Sequence, residues 1–231
     1  MTEQGSTPDD PVRDMLRRLR VFDTDLPRFQ PDQTPADPVA LFTEWLAAAI
    51  TAGVPEPHVM SLATSDADGH PSSRMLICRD VDPLGRWFFA SSSTSRKGRE
   101  LAACPHAALG FYWPRQGRQI RIRGQATAES AERSAADFLA RSTESRVEGL
   151  VGHQSAILAD PADQPAAIAE ARARIVADPH LVPPDWTLYG LLAEEVEFWQ
   201  GDRDRQHIRL RYHRTGGEHA GSQWAKERLW P

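Results

Sequence analysis

VMSLATSDADGHPSSRMLICRDVDPLGRWFFA, residues 59–90, is the stretch on which the reading of the fold turns. Val59–Thr64 alternates as a half-buried strand does, and Asp66-Ala67-Asp68-Gly69 is a tight-turn sequence. Ser72–Arg79 is a second strand, Asp82-Pro83-Leu84-Gly85 a second turn, and Arg86–Ala90 a third strand. Downstream, Ala107–Trp113 and Arg118–Ala126 flank Pro114-Arg115-Gln116-Gly117 as a hairpin. Leu188–Trp199, Gln206–Tyr212 and Trp224–Trp230 read as closing strands. Antiparallel hairpins closing on one another predict an α+β chain, mainly antiparallel β, built as a small barrel with peripheral helices.

The helices flank this β region. Asp37 caps a helix over Pro38 to Ala52, with Pro38 in its first turn and Gly53 at its end. Leu41, Phe42, Trp45, Leu46, Ala49 and Ile50 make one apolar stripe on it. Shorter helices are expected over Ser95–Ala103, stopped by Cys104-Pro105, over Glu129–Arg141, and over Ala166–Val176. Residues 1–36 are polar and proline-rich and read as a flexible arm with one amphipathic piece, Met15 to Arg20. Residues 37–231 form one domain.

Composition narrows the function. A net charge of −5 argues against broad nucleic-acid binding, although arginines cluster locally in a way that suits a small anion. Cys78 and Cys104 make no disulfide scaffold, no Cys/His spacing reads as a metal site, and no apolar run reaches membrane-span length. The start MTEQGSTPDDPVRDM carries no apolar leader, so a cytoplasmic protein is expected. Neither G-x-G-x-x-G nor G-x-x-x-x-G-K-[ST] occurs.

Three clusters carry candidate chemistry. In Ser72–Arg79, strand alternation sets Arg74 on the face of Leu76 and Cys78, where a guanidinium needs an anionic or carbonyl partner; an internal ion pair would serve equally. Ser93-Thr94-Ser95-Arg96-Lys97-Gly98-Arg99-Glu100 places hydroxyls and then adjacent cations at a helix start, a fair phosphate site or an ordinary cap. On a strand, Arg205, His207 and Arg209 would share one face about 7 Å apart, repelling one another unless an anion lies along them. The remaining histidines, His219 among them, are scattered and read as structural or exposed. Cys78 reads as a small packing residue.

From Asp37 to Pro231, the chain resembles the pyridoxamine 5′-phosphate oxidase family, whose fold is an FMN-binding split β-barrel dimer. The resemblance rests on DPVALFTEWL, SLATSDADGHPSSRML, SRKGREL, GRQIRIRG, GHQS, VEFWQ, RQHIR and ERLWP in colinear order. It implies FMN contacts at Arg74, Met75, Leu76, Ile77, Cys78, Arg79, Phe89, Ala90, Arg96, Lys97, Gln119, Gln154, Ser155, Trp199 and Arg209, partly from a second subunit. It implies substrate contacts at Arg79, Asp137, Arg141 and Ser145 around a phosphate. Arg205 and His207 would flank the ring as the catalytic pair, with Arg17 and Arg18 in a closing arm.

The expected reaction is oxidation of pyridoxamine or pyridoxine 5′-phosphate to pyridoxal 5′-phosphate, with O2 as acceptor and hydrogen peroxide released. Departures from the family pattern keep alternatives open. Arg79 replaces a lysine, Asp137 stands where a tyrosine is usual, and an acid is lost from the Arg205–Arg209 run. These favour an oxidase of another ring compound, such as a dihydrophenazine. A flavin- or deazaflavin-dependent reductase of the same barrel is the third reading.

Overall fold

The computed structural model describes residues 11–216 and 223–231. Residues 1–10 of the expected arm, and His219, lie outside them. Nine strands form one curled antiparallel sheet: β1 (Val59–Ser65), β2 (Pro71–Ile77), β3 (Asp80–Val81), β4 (Arg86–Ser92), β5 (His106–Trp113), β6 (Arg118–Ala128), β7 (Trp186–Gln200), β8 (Ile208–Arg214) and β9 (Trp224–Leu229). Their order is β2-β1-β5-β6-β7-β4-β3, with β8 and β9 continuing from β7.

β7 splits the barrel. One edge runs along β6; the other carries β4 at Trp186–Leu192 and β8 at Glu195–Gln200. The β6/β7 register shifts between Arg123 and Gly124. A Cβ at Gly124 would stand 1.9 Å from the Leu192 carbonyl oxygen, so the bulge requires glycine there.

Helix α2 (Pro38–Thr51) plugs the barrel, and its Asp37 cap accepts the Val39 N–H at 2.9 Å, as its sequence predicts. Leu41, Phe42, Trp45 and Ala49 are buried, whereas Ile50 is exposed beyond the stripe. Trp45 packs edge-on against Phe29 and Phe198, and Phe42 against Trp87. Complete burial of such side chains stabilises by about 1.5–3 kcal/mol each. Buried Arg118 stacks over Trp45 at 4.1 Å, and desolvation lowers its pKa to about 10.

α1 (Pro11–Arg18) includes Arg17 and Arg18, both exposed. Beyond it the arm is anchored: Phe29 enters the core, and the Tyr212 hydroxyl donates to the Pro35 carbonyl at 2.8 Å.

α3 (Arg96–Ala103), α4 (Ala131–Leu139), α5 (Thr143–Val151) and α6 (Asp163–Ala177) lie outside the barrel. The expected helix over 129–141 is shorter than predicted and is followed by α5, which the sequence reading left out. Ser142 separates the two, capping α5 by accepting the Ser145 N–H. Phe138, Val147, Leu150, Ala171, Ile175 and Trp186 form a second core that fastens α4, α5 and α6 to β7.

Candidate active site

A cleft of about 510 Å³ opens between β2, β4, the start of α3, and α5. Its floor is built around Glu100, a buried carboxylate that accepts from Thr64 Oγ1 (2.5 Å), Ser72 Oγ (2.6 Å), Arg96 Nε (2.7 Å) and an Arg74 terminal nitrogen (3.2 Å). Burial alone would raise its pKa; these hydrogen bonds instead hold it down to about 2. Arg74 also donates to the Leu62 carbonyl and the Thr64 and Ser72 hydroxyls. It therefore has both the internal ion pair and the carbonyl partner that its inward position demands. Glu100 ends the Ser93–Glu100 cluster but was given no role in the sequence reading, although it lies four residues after Arg96, the spacing of a helical ion pair.

Lys97 is different. Its Nζ donates to Ser91 Oγ (2.9 Å), Ser95 Oγ (3.3 Å) and Gln154 Oε1 (3.4 Å), all neutral. Among the described residues, no carboxylate lies within ion-pair distance of it. Desolvation first, then the Arg74 charge, lowers its pKa. An anion at this point would relieve both penalties, and the α3 N-terminus beneath it has the favourable dipole.

The turn after α5 brings GHQS to the same place. Gly152, His153 and Ser155 all have positive φ, at +65°, +55° and +72°. Non-glycine residues in that region each cost about 1–3 kcal/mol. The result aims Gln154 at Ser91 and Lys97, and lets the Arg96 N–H donate to Ser155 Oγ at 3.2 Å. Met75, Leu76, Ala90, Arg141, Ser145, Glu148 and Trp186 complete the cleft wall.

Several expected residues stand elsewhere. β2 ends at Ile77, not Arg79: the Cys78 N–H turns to the His58 carbonyl and the Arg79 N–H to Phe88. Arg79 lines an adjoining hollow with Asp137, where its Nε donates to Asp137 Oδ1 at 2.9 Å. Phe89 is buried in the barrel and stacked on Tyr189, so its side chain does not reach the cleft. Ile77 projects outward. Cys78 packs against the core, and burial pushes its thiol pKa to about 12.

Gln119, Trp199 and Arg209 form a second group. They are register partners across β6, β7 and β8, and none lines the cleft. The predicted strand row of Arg205, His207 and Arg209 does not form, because β8 begins only at Ile208. Arg205 instead occupies the preceding turn with φ +62°, and the Asp202 carboxylate accepts the Asp204 and Gln206 N–H groups there. His207 Nδ1 accepts the Asp202 N–H at 3.0 Å, which leaves the ring proton on Nε2 when the imidazole is neutral. Its ring packs on Trp199 at 4.8 Å, with Phe22 against both. Arg209 has its anion within the chain: Glu197 takes two of its N–H groups at 2.8 and 3.1 Å and also accepts from Arg121.

The barrel thus carries two separate features, a cationic cleft at a helix N-terminus and an aromatic–imidazole patch around Trp199 and His207. A family model described as pyridoxamine 5′-phosphate oxidase matches residues 46–200. A second, the pyridoxine 5′-phosphate oxidase C-terminal dimerisation region, matches residues 186–231. Pyridoxine/pyridoxamine 5′-phosphate oxidase from Pseudomonas paraeruginosa is 41% identical over 199 residues, covering 85% of this chain and 90% of that protein. The protein of the same description from Herminiimonas arsenicoxydans is 41% identical, with 86% and 91% covered.

Among solved structures, PhzG from Burkholderia lata 383, in complex with tetrahydrophenazine-1-carboxylic acid, superposes with a TM-score of 0.81 at 36% identity, covering 90% of this chain and 99% of that one. A pyridoxamine 5′-phosphate oxidase-related, FMN-binding protein from Nostoc punctiforme shares the fold at 20% identity, covering 82% and 97%, with a TM-score of 0.67. The chain belongs to the pyridoxamine 5′-phosphate oxidase family. Among the described residues, no helix is long and apolar enough to cross a membrane.

Proposed function

We propose that the chain is an FMN-dependent oxidase that acts as a homodimer on a small ring substrate carrying an anionic group, with O2 as acceptor and hydrogen peroxide as product. The observation that carries this reading is Lys97, a half-buried ammonium whose hydrogen bonds among the described residues go only to the neutral Ser91, Ser95 and Gln154. A phosphate monoester fits this donor set, with Arg96 and Ser155 beside it. Bound FMN would supply the two-electron chemistry, and the protein binding and orientation.

Arg141 and Ser145, farther along the same cleft, would hold the anionic end of the substrate. Gln119 and the Trp199, Arg205, His207 and Arg209 group would come from the second copy. The last four lie inside the stretch matching the dimerisation region, which supports a site completed across the interface. There the Asp202 N–H would fix the His207 tautomer, leaving Nε2–H as a donor toward the substrate ring.

Pyridoxamine or pyridoxine 5′-phosphate, oxidised to pyridoxal 5′-phosphate, is the substrate that the relatives support. A second reading, a reduced phenazine carboxylate, is favoured by the Arg79–Asp137 ion pair, which removes one cation from the substrate end. The test is to purify the protein, identify its flavin from the visible spectrum and by mass, and present both substrates with oxygen. Peroxide formed in step with product from either supports the oxidase. Flavin absent, or present without peroxide from both, contradicts it.

A further inference from the structure

We propose that Asp137 is a specificity-determining residue: it withdraws Arg79 from the cleft and leaves the substrate end matched to a carboxylate rather than to a phosphate monoester. This rests on the oxidase reading of the cleft and decides between its two substrate classes.

The argument is one of charge and donor count. A phosphate monoester brings about −1.5 to −2 charges at pH 7 and three acceptor oxygens; a carboxylate brings one charge and a flat two-oxygen edge. Arg79 is spent on Asp137 Oδ1 at 2.9 Å, and it lines the adjoining hollow with Asp80, Phe88 and Arg133 rather than the cleft. The other Asp137 oxygen accepts the Trp186 indole N–H at 3.2 Å and lies 3.9 Å from an Arg141 nitrogen. The Trp186 ring in turn lies under the Arg141 guanidinium at 4.6 Å, so Asp137, Trp186 and Arg141 form one packed unit.

Glu148 stands on the cleft wall and acts electrostatically on both Arg141 and Lys97. At this end Arg79 and Asp137 cancel each other, which leaves the Arg141 guanidinium on the cleft wall with Glu148 beside it. An incoming anion meets the Arg141 fork and the Ser145 hydroxyl. One planar guanidinium pairs edge to edge with one carboxylate, whereas a dianion would remain half compensated.

The test titrates flavin-loaded protein with pyridoxal 5′-phosphate and with phenazine-1-carboxylate, following the flavin absorbance change as a binding signal. Asp137→Asn keeps the side-chain shape and removes the charge, so it should tighten pyridoxal 5′-phosphate about tenfold while changing the carboxylate less than about threefold. In the Asp137→Asn background, Arg79→Ala should cancel the gain, because the freed guanidinium is what the phosphate then meets. Unchanged phosphate affinity in Asp137→Asn, or a gain that survives Arg79→Ala in that background, overturns the proposal. Arg141→Ala separates this from failure of the underlying reading. It should weaken both ligands by about tenfold or more, and no effect on either would remove the substrate from this cleft altogether.

Discussion

Replacing Glu100 by Gln tests the electrostatic frame of the cleft. The carboxylate compensates Arg74 and Arg96 and accepts four side-chain hydrogen bonds, from Thr64, Ser72, Arg74 and Arg96. Gln keeps the shape but turns an NH2 group toward donors and leaves the Arg74 guanidinium, only 19% exposed, without its counter-charge. Breaking a buried pair from one side costs about 3–5 kcal/mol; the Arg96 arm is more than half exposed and screened, so about 3 kcal/mol is the expected loss. For a chain of this size, that lowers the melting temperature by roughly 6–12 °C.

The pH dependence gives a sharper signature. The Glu100 pKa is depressed in the folded protein, from 4.5 to about 2. Its stabilisation is therefore complete above pH 4.5 and is lost as the pH falls toward 2. Thermal unfolding followed by near-UV circular dichroism should show a wide gap between parent and Glu100→Gln at pH 7, narrowing at pH 3. A variant that melts with the parent at pH 7, or a gap that is the same at both pH values, would refute this account of the cleft floor.

Three further outcomes are expected. Lys97→Ala should weaken FMN binding by about 10- to 100-fold, the worth of a charge-assisted contact, as measured by flavin release on dilution. Gly98→Ala should destabilise the fold and empty the flavin site together, because its Cβ would stand 2.3 Å from the Ser93 carbonyl oxygen; an unchanged denaturant midpoint and flavin content would contradict this. Cys78, with its thiol pKa at about 12, should resist alkylation at pH 8 until the protein is unfolded, which mass mapping checks.

The barrel was legible because β1 and β2 alternate cleanly and the turns at 66–69 and 82–85 carry the residues such turns need. α5 was hidden by its composition: Thr143–Val151 is mixed in polarity, and its burial comes from packing on Phe138 and α6 rather than from a regular stripe. The cations at Arg74, Arg96 and Lys97 were visible as charges. Which were already paired was not, because Glu100 reaches Arg74 through the fold, as Glu197 reaches Arg209. The Arg205–Arg209 row failed for a local reason: Asp202 gathers the N–H groups of Asp204 and Gln206 into a turn where a strand was expected. Asp137 was recognised as an anomaly, but its partner Arg79 and its contact with Trp186 came only from the structure.

The central claim is that the Lys97 cleft and the Trp199 patch are two halves of one site, contributed by two copies of the chain. Co-expression of Lys97→Ala and Trp199→Ala chains, assayed at a flavin concentration too low to load either variant alone, tests it most directly. Random pairing in a twofold dimer restores about a quarter of the sites to full composition, so about a quarter of the parental flavin-dependent peroxide formation should return. A mixture no more active than either variant would contradict the shared site and place each half's function within a single chain.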